Sequence, residues 1–287
     1  MQQTHTVLDT NVLRMFIGLL QRNSGYLARQ EVERLSKELS SDPKRLEPFG
    51  FKVYSQGDED GVLEEIFRRL GITKGTFIEI GVENGLECNT LYLLHKGWRG
   101  AWIEGNPKQE DPIRQKFKVL FEQNRLQLRL QFVYPDNINE LIRSYVDSNE
   151  ELDFLSIDID GNDFYLLESL QILPKVLCIE YNSKWRGNIA KVPVYSPDNA
   201  WRGTDWMGAS LLSLAELANQ KGYKLVGTNL TGANAFFVRR DLVSDHFVAS
   251  EDAAQLYNPA RYWLIFDHFH HIGHPADFGP YTDFFET

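Results

Sequence analysis

The sequence predicts an α/β protein with a doubly wound, mostly parallel sheet of seven strands and an N-terminal helical cap. Two observations support this fold class. Short apolar segments alternate with helical patterns from residue 76 to residue 221, as in consecutive βαβ units. The last two apolar segments then follow each other across a glycine-containing turn, which predicts an antiparallel hairpin at the end of the sheet.

The elements are predicted in the following order. Residues 1–50 form the helical cap, and their apolar run 12–20 is too short to span a membrane and is interrupted by Arg14. A helix over residues 57–72 begins with acidic residues and ends at Gly71. The predicted strands are residues 76–81, 100–105, 131–136, 153–160, 175–181, 223–229 and 234–240, with helices over 89–96 and 210–221. Residues 51–245 form the main domain, and residues 246–287 form a C-terminal extension.

The composition limits the kinds of partner. The chain has 287 residues, of which 43% are hydrophobic and 24% are charged, as in ordinary soluble globular proteins. Its net charge of −10 argues against nucleic acid or an anionic membrane as the main partner, so we expect a small molecule. The only cysteines, Cys88 and Cys178, imply no disulfide framework and predict a reducing compartment, the cytoplasm.

The loop after the first strand carries the first candidate residues. Glu79, Gly81 and Gly85 have the spacing E-x-G-x-x-x-G. A dinucleotide fold prefers G-x-G-x-x-G, and Glu83 stands at the position of its second glycine, where an acid repels a pyrophosphate. Gly81 allows the backbone close to a ligand, and Glu79 offers a carboxylate. The alternative is a plain tight turn.

The second strand ends with Glu104, about 20 residues beyond the glycine loop, where a carboxylate can bind both hydroxyls of a ribose. In doubly wound sheets, ligands bind at the carboxyl ends of the strands near the switch in strand order. The pattern therefore predicts a nucleoside-containing cofactor at this edge.

Six motifs together resemble the FkbM-like methyltransferases, in the branch with a YSQ-x-GEDG opening. They are YSQGDEDG (54–61), FIEIGVENGLECNT (77–90), KGWRGAWIEGN (96–106), DFLSIDIDGNDF (153–164), VLCIEYN (176–182) and GTNLTGANAFFVRRDL (227–242). The resemblance covers residues 54–241 and implies a Rossmann-like class I methyltransferase fold, S-adenosylmethionine (SAM) as cofactor, and O-methyl transfer to a sugar or another small-molecule hydroxyl. The chain departs from the commoner family pattern at Ser156, where that pattern has a basic residue.

The resemblance also implies roles for individual residues. Glu79 and Gly81 would lie by the methionine end of SAM, Glu104 would bind the ribose, and Gln56 would help to close the cofactor pocket. The loop after the third strand would lie by the adenine, and its candidate residues for this contact are Asp136 and Asn137. An alternative for this pair is a helix N-cap before residue 138.

Carboxylates crowd the ends of the fourth and fifth strands. Asp158 and Asp160 end the fourth strand, and Glu180 and Asn182 end the fifth. Since the middle of a buried parallel strand cannot hold free carboxylates, these groups must lie at the open edge, where neighbouring strands are about 4.8 Å apart. Hard oxygen ligands of this kind suit Mg²⁺, Mn²⁺ or Ca²⁺.

Three interpretations of this cluster remain open. Asp158, Glu180 and Asn182 could hold Mg²⁺ or Mn²⁺, which is similar to the arrangement in catechol and macrolide-sugar O-methyltransferases. Asp158 or Asp160 could instead act as a general base without a metal. The third interpretation is structural, with Asp160 in a turn and Asp163 as a helix N-cap.

The long loop between the fifth strand and the next helix, residues 183–208, is predicted to be a substrate lid. Tryptophan faces and arginine forks suit sugar rings, hydroxyls and acidic groups. The candidate substrate-binding residues are Trp185, Arg186, Trp201, Arg202 and Trp206. The alternative is a loop that its own aromatic residues hold in place.

Other functions remain possible from the sequence. The histidines at 268, 270, 271 and 274 match no zinc-site spacing and are interpreted as a surface or interface cluster. A non-catalytic SAM- or sugar-binding module of a biosynthetic complex and an NAD-dependent oxidoreductase are the alternatives to a methyltransferase. The glycine spacing and Glu83 count against the oxidoreductase.

Overall fold

The computed structural model describes residues 10–146, 150–199 and 201–265. The strands of these residues are β1 Thr76–Ile80, β2 Arg99–Glu104, β3 Leu126–Leu130, β4 Phe154–Ile157, β5 Val176–Glu180, β6 Tyr223–Thr228 and β7 Asn234–Arg239. They form one sheet in the order β3-β2-β1-β4-β5-β7-β6. Neighbours are parallel from β3 to β5, and β7 is antiparallel to both β5 and β6. The predicted fold class is therefore confirmed.

The third strand lies earlier in the chain than predicted, so that prediction was wrong. β3 spans Leu126–Leu130, and the predicted segment 131–136 follows it as a loop. β3 lies at the edge of the sheet, and its residues alternate in burial along the strand. An edge strand of this kind lacks the continuous apolar run that marks a central parallel strand. Pro135 also has no N–H for a strand ladder.

Helices flank the sheet and precede it. The helices of the described residues are α1 Thr10–Leu39, α2 Glu59–Leu70, α3 Leu91–His95, α4 Glu110–Lys116, α5 Lys118–Glu122, α6 Ile138–Arg143, α7 Asp163–Ser169, α8 Leu211–Gln220, α9 Arg240–Val243, α10 Ala253–Leu256 and α11 Tyr262–Leu264, with 3₁₀ turns at Glu47–Phe49 and Pro107–Gln109. A long N-terminal helix is present as predicted, although only Ala28 and Leu35 of α1 are buried. In the part of the chain that is described, no helix is both long enough and apolar enough to cross a membrane.

Apolar side chains cover both faces of the sheet. Because successive strand residues point to opposite faces, Phe77 and Ile78 of β1 belong to two different core clusters. Phe154 and Leu155 of β4 divide in the same way. The interior on both faces of the sheet is thus mainly apolar, and acidic side chains of β2 and β5, Glu104 and Glu180, stand at the carboxyl ends of these strands.

The switch in strand order lies at β1, which pairs with β2 on one side and with β4 on the other. The chain passes from β1 to β2 on one side and crosses from β3 to β4 on the other, which opens a crevice above the carboxyl ends of the strands. The residues that follow β1, β2, β4 and β5 line this edge, which is the place that the sequence predicts for the ligand site.

Candidate active site

The loop after β1 depends on two glycines with positive φ. Gly81 has φ +84°, and a β-carbon there would lie 1.6 Å from the carbonyl oxygen of Asp158, just after β4. Gly85 has φ +77°, and a β-carbon would lie 2.6 Å from the ring of Trp102. Both positions require a positive φ and leave no room for a β-carbon, and only glycine meets both requirements. The loop is therefore packed directly against β4 and against the interior of β2.

Glu79, in β1, holds the start of α3. Its buried carboxylate accepts hydrogen bonds from the backbone N–H of Asn89 at 2.8 Å and from that of Thr90 at 3.0 Å. Burial raises the pKa of Glu79 to about 7, although these hydrogen bonds favour the charged form. The carboxylate thus shapes the loop after β1 from within the fold.

Glu104, at the end of β2, ties the first two loops together. One carboxylate oxygen accepts the backbone N–H of Glu83 at 2.8 Å, and the other accepts that of Asn106 at 2.7 Å. Glu83 has φ +47°, which turns its backbone toward this carboxylate. A carboxylate has about four acceptor sites, so each oxygen of Glu104 retains a lone pair for a further donor.

An exposed phenylalanine lies beside this point. Phe132, in the loop after β3, has 61% of its surface exposed, and its ring lies 2.6 Å from where a β-carbon of Gly105 would stand. Asn137 fixes the loop, because its side chain accepts the N–H of Tyr134 and donates to the carbonyl of Phe132. Asp136 is exposed. Phe132 was not singled out from the sequence, because this residue falls within segment 131–136, which was predicted to be the third strand.

Three carboxylates meet at the ends of β4 and β5. Asp158, Asp160 and Glu180 each offer an oxygen that lies within 4.8 Å of the other two. The Oε2 atom of Glu180 is buried and has no hydrogen-bond partner among the described residues. Burial raises the pKa of Asp158 and of Glu180 well above the usual range, and the neighbouring carboxylates raise both further. Such a group of unpaired acids is stable only with shared protons or a bound cation.

Asp163 stabilises the turn that follows β4. Asp163 is fully buried and accepts the backbone N–H groups of Ile159 and Gly161, both at 2.9 Å. Asp160 has φ +57°, a conformation that the short aspartate side chain tolerates. Asp163 is the first residue of α7 and holds the turn in place, and Asp160 joins the cluster because of the turn.

Asn182 does not join the carboxylates in this arrangement. Its side-chain amide donates to the carbonyls of Asp205 at 2.8 Å and Met207 at 2.7 Å, and its oxygen accepts the N–H of Lys184. It therefore fastens the two ends of the predicted lid, residues 183–208, to the end of β5. The structure brings Asp160, and not Asn182, together with Asp158 and Glu180.

The predicted lid has exposed aromatic residues along its length. Trp185, Trp201 and Trp206 each have between 38% and 55% of their surface exposed. Trp201 donates its indole N–H to the carbonyl of Thr204, so this part of the lid is partly held by its own aromatic residue. Arg186 and Arg202 are exposed. These five candidate residues are thus accessible on one loop beside the carboxylates.

A turn of the lid lies against the turn after β4. The carbonyl of Ser196 accepts the N–H of Asn199 at 3.0 Å and the side-chain amide of Asn162 at 2.8 Å. The amide of Asn199 faces Gly161, where a β-carbon would lie 2.6 Å from it. Neither Nδ2 nor Oδ1 of Asn199 has a hydrogen-bond partner within the described ranges. No sequence signal distinguished Asn199, because its role depends on how two distant turns meet.

The segment YSQGDEDG (54–61) turns its acids inward. Asp60 accepts the backbone N–H groups of residues 53, 54 and 55, and Glu59 accepts the side-chain amides of Asn229 and Asn234. Asp58 accepts the N–H of residue 230. This segment therefore packs against the start of β7, beside Glu180, and leaves Gln56 exposed.

Residues 257–262 of the C-terminal extension contact the chain at the end of β5. The hydroxyl of Tyr262 lies 3.1 Å from that of Ser183, and Tyr257 donates to the carbonyl of Ser183. Tyr181 donates to the carbonyl of Asn258. The extension thus buttresses the end of β5. The histidine cluster 268–274 lies outside the described residues.

The strand order with a single antiparallel strand, β7, is that of the Rossmann-like fold of class I methyltransferases. No protein-family model matches the sequence, and no curated protein matches it in sequence.

Several solved structures resemble the chain in their backbone fold. The N-terminal domain of EvdMO1 with SAH bound has a TM-score of 0.41 and 15% identity, and the match covers 73% of this chain and 94% of that one. An O-methyltransferase from Bacillus cereus in complex with SAH has a TM-score of 0.39 and 15% identity, covering 73% and 88%. A SAM-dependent methyltransferase from Aquifex aeolicus has a TM-score of 0.37 and 14% identity, covering 73% and 97%.

The buried acids predict that stability falls as the pH rises. Burial raises the pKa of Glu79 and Asp58 to about 7 and that of Asp60 to about 6, from unfolded values of about 4. Between these limits the folded state holds protons that the unfolded state releases, so the stabilisation present at low pH is lost as the pH rises from about 4 to about 7. With EDTA present, we expect Tm to be at least about 5 °C higher at pH 5 than at pH 8. Thermal unfolding at both pH values tests this, and the Glu79→Gln variant should show a smaller difference. An equal or higher Tm at pH 8 would contradict it.

Proposed function

We propose that this protein is a SAM-dependent O-methyltransferase that acts on a hydroxyl group of a sugar or another polyol-like small molecule, with a divalent cation at its acidic cluster. The observation that carries the proposal is the group formed by Asp158, Asp160 and Glu180. It lies at the carboxyl ends of β4 and β5, next to the switch point at β1, where this fold binds its ligands.

The proposed cofactor site lies above β1 and β2. Glu104 would bind the ribose, since each of its oxygens accepts one backbone N–H and keeps a lone pair. Gly81 and Gly85 shape the loop beside the methionine end, and the Glu79 carboxylate holds that loop against α3. Phe132 offers an exposed aromatic face for the adenine in place of a contact from Asp136 or Asn137. When bound, SAM supplies a methyl group to a nucleophilic oxygen.

The acidic cluster fits a hard divalent cation. Mg²⁺ and Mn²⁺ prefer carboxylate oxygens, and three carboxylates with one buried, unpaired oxygen form such a ligand set. A cation bound there would lower the pKa of a coordinated substrate hydroxyl. Asp163 holds the turn that places Asp160 in the set. Asn182 serves the lid instead.

The metal-free alternative uses the same residues. Burial and the neighbouring carboxylates raise the pKa of Asp158, so its charged form would be a stronger base toward the proton of a substrate hydroxyl than an ordinary carboxylate. The two versions differ in their response to EDTA. Activity that survives EDTA unchanged would exclude the metal and leave Asp158 or Asp160 as the general base.

The lid, residues 183–208, supplies the proposed substrate contacts. Partly exposed indole faces on Trp185, Trp201 and Trp206 suit the apolar faces of sugar rings, and Arg186 and Arg202 suit hydroxyl or acidic groups. We place the catalytic unit in residues 51–245, with residues 1–50 as the cap and residues 246–287 as an extension. The buried free thiols of Cys88 and Cys178 favour the cytoplasm as its compartment.

Calorimetric titration tests the cofactor. We expect SAM and SAH to bind with Kd values of about 1–100 μM, and we expect NAD⁺ to show no binding, because Glu83 stands where a pyrophosphate would lie. Glu104→Gln should weaken SAM binding about tenfold or more, since one oxygen becomes a donor. Tight NAD⁺ binding without SAM binding would overturn the proposed function. SAM binding without methyl transfer to any of a panel of sugars and polyols would favour the non-catalytic module.

A further inference from the structure

The N-terminal part of α1 leaves large apolar side chains in solvent. Nine of them lie between residues 12 and 27, each with 41–63% of its surface exposed. They are Val12, Leu13, Met15, Phe16, Ile17, Leu19, Leu20, Tyr26 and Leu27. No residue from Thr10 to Leu27 is buried, and the first buried residue of the helix is Ala28, which packs with Leu264 of α11. Apolar patches of this size mark an interaction surface.

The apolar residues have a defined position around the helix. With 3.6 residues per turn, the nine side chains cover an arc of about 200°, which Asn23 and Ser24 interrupt. This arc is about twice as wide as the stripe of about 100° by which a surface helix packs on one neighbour. A single partner helix would therefore leave much of it exposed, whereas immersion to the helix axis covers it.

The charges lie on the opposite side. Arg14, Arg22 and Arg29 fall within about 80° of one another, facing away from the centre of the apolar arc. Residues 10–30 contain no aspartate or glutamate, although the whole chain has a net charge of −10. The helix segment that carries the exposed apolar face therefore has a net positive charge, although Asp9 precedes it and Glu31 follows it in an acidic chain.

We propose that residues 10–27 of α1 form a membrane-docking surface that lies in the interface of an anionic lipid bilayer. The apolar arc enters the boundary between headgroups and acyl chains, and Arg14 and Arg22 contact lipid phosphates at the surface. The net charge of the chain argues against membranes as a main partner, but that average hides this segment. The proposal does not depend on the methyltransferase activity.

Vesicle co-sedimentation of the full-length protein tests the proposal. We expect binding to vesicles of phosphatidylcholine with 30% phosphatidylglycerol, and weaker binding to pure phosphatidylcholine. Phe16→Glu with Leu20→Glu should reduce binding at least about twentyfold, since both side chains lose their apolar contact. Arg14→Gln with Arg22→Gln should reduce binding to the anionic vesicles about 25-fold, or fivefold for each arginine, and high salt should do the same.

Controls separate this result from misfolding and from self-association. Leu173→Glu changes an exposed leucine elsewhere, with 40% of its surface exposed, and should bind vesicles like the unchanged protein. The Phe16 and Leu20 variant should keep its Tm, because neither side chain is buried. Absence of binding to both vesicle types would overturn the proposal. So would a dimer in light scattering that Phe16→Glu with Leu20→Glu converts to a monomer, because a second copy would then cover the face.

Discussion

Replacing Asp158 by asparagine is expected to weaken Mn²⁺ binding about a hundredfold or more while changing SAM affinity by less than about threefold. Asp158 is one of three carboxylates whose oxygens lie within 4.8 Å of one another, and an amide there removes one negative charge and one strong ligand. Glu180→Gln should have the same effect, because the carboxylate it removes includes the unpaired Oε2 atom. Calorimetry with Mn²⁺, and separately with SAM, measures both affinities.

A matched substitution outside the cluster controls for a general charge effect. Glu216→Gln changes an exposed glutamate on α8 and should leave Mn²⁺ binding unchanged. Methyl transfer to a hydroxyl acceptor should fall by about 10²-fold or more in Asp158→Asn, whether the carboxylate holds the metal or accepts the proton. If Asp158→Asn binds Mn²⁺ as tightly as the unchanged protein, the cluster is not a metal site.

The central strands could be predicted from the sequence because each is an apolar run between turn signals. β1, β4 and β5 are buried on both faces, and such runs identify themselves without knowledge of their neighbours. β3 was misplaced because an edge strand is only half buried and looks like the surface of a helix or a loop. The sequence shows apolar content but not which residues lie at the edge of a sheet.

The candidate site divides in a similar way. Asp158 and Glu180 could be placed together because both end parallel strands that lie side by side. The partner of Asn182 could not be predicted, since its amide is used by carbonyls more than twenty residues away in the lid. The contact between Asn199 in the lid and Gly161 in the turn after β4 could not be predicted either. Contacts between loops depend on tertiary structure, and spacing along the chain contains little information about them.

Replacing Gly81 by alanine is expected to destabilise the protein by about 2–5 kcal/mol or to prevent folding. The φ of +84° costs an L-residue about 1–2 kcal/mol by itself. In addition, the new methyl group would lie 1.6 Å from the carbonyl oxygen of Asp158, which is backbone and cannot rotate away. Relief requires β1 and β4 to separate where the proposed cofactor and metal sites meet, so the strain adds about 1–3 kcal/mol. Urea unfolding measures the total.

Gly71→Ala provides the control, because this substitution has the cost of a positive φ without a steric clash. Gly71 ends α2 with φ +70°, and a β-carbon there would have no heavy atom within 4 Å. Gly71→Ala should therefore cost only about 1–2 kcal/mol, the penalty of the left-handed conformation. The difference between the two variants measures the contact between the glycine loop and the end of β4. If both variants lose the same free energy of unfolding, the backbone at Asp158 moves away from the new methyl group at no cost. The glycine loop would then not fix the position of the carboxylate cluster.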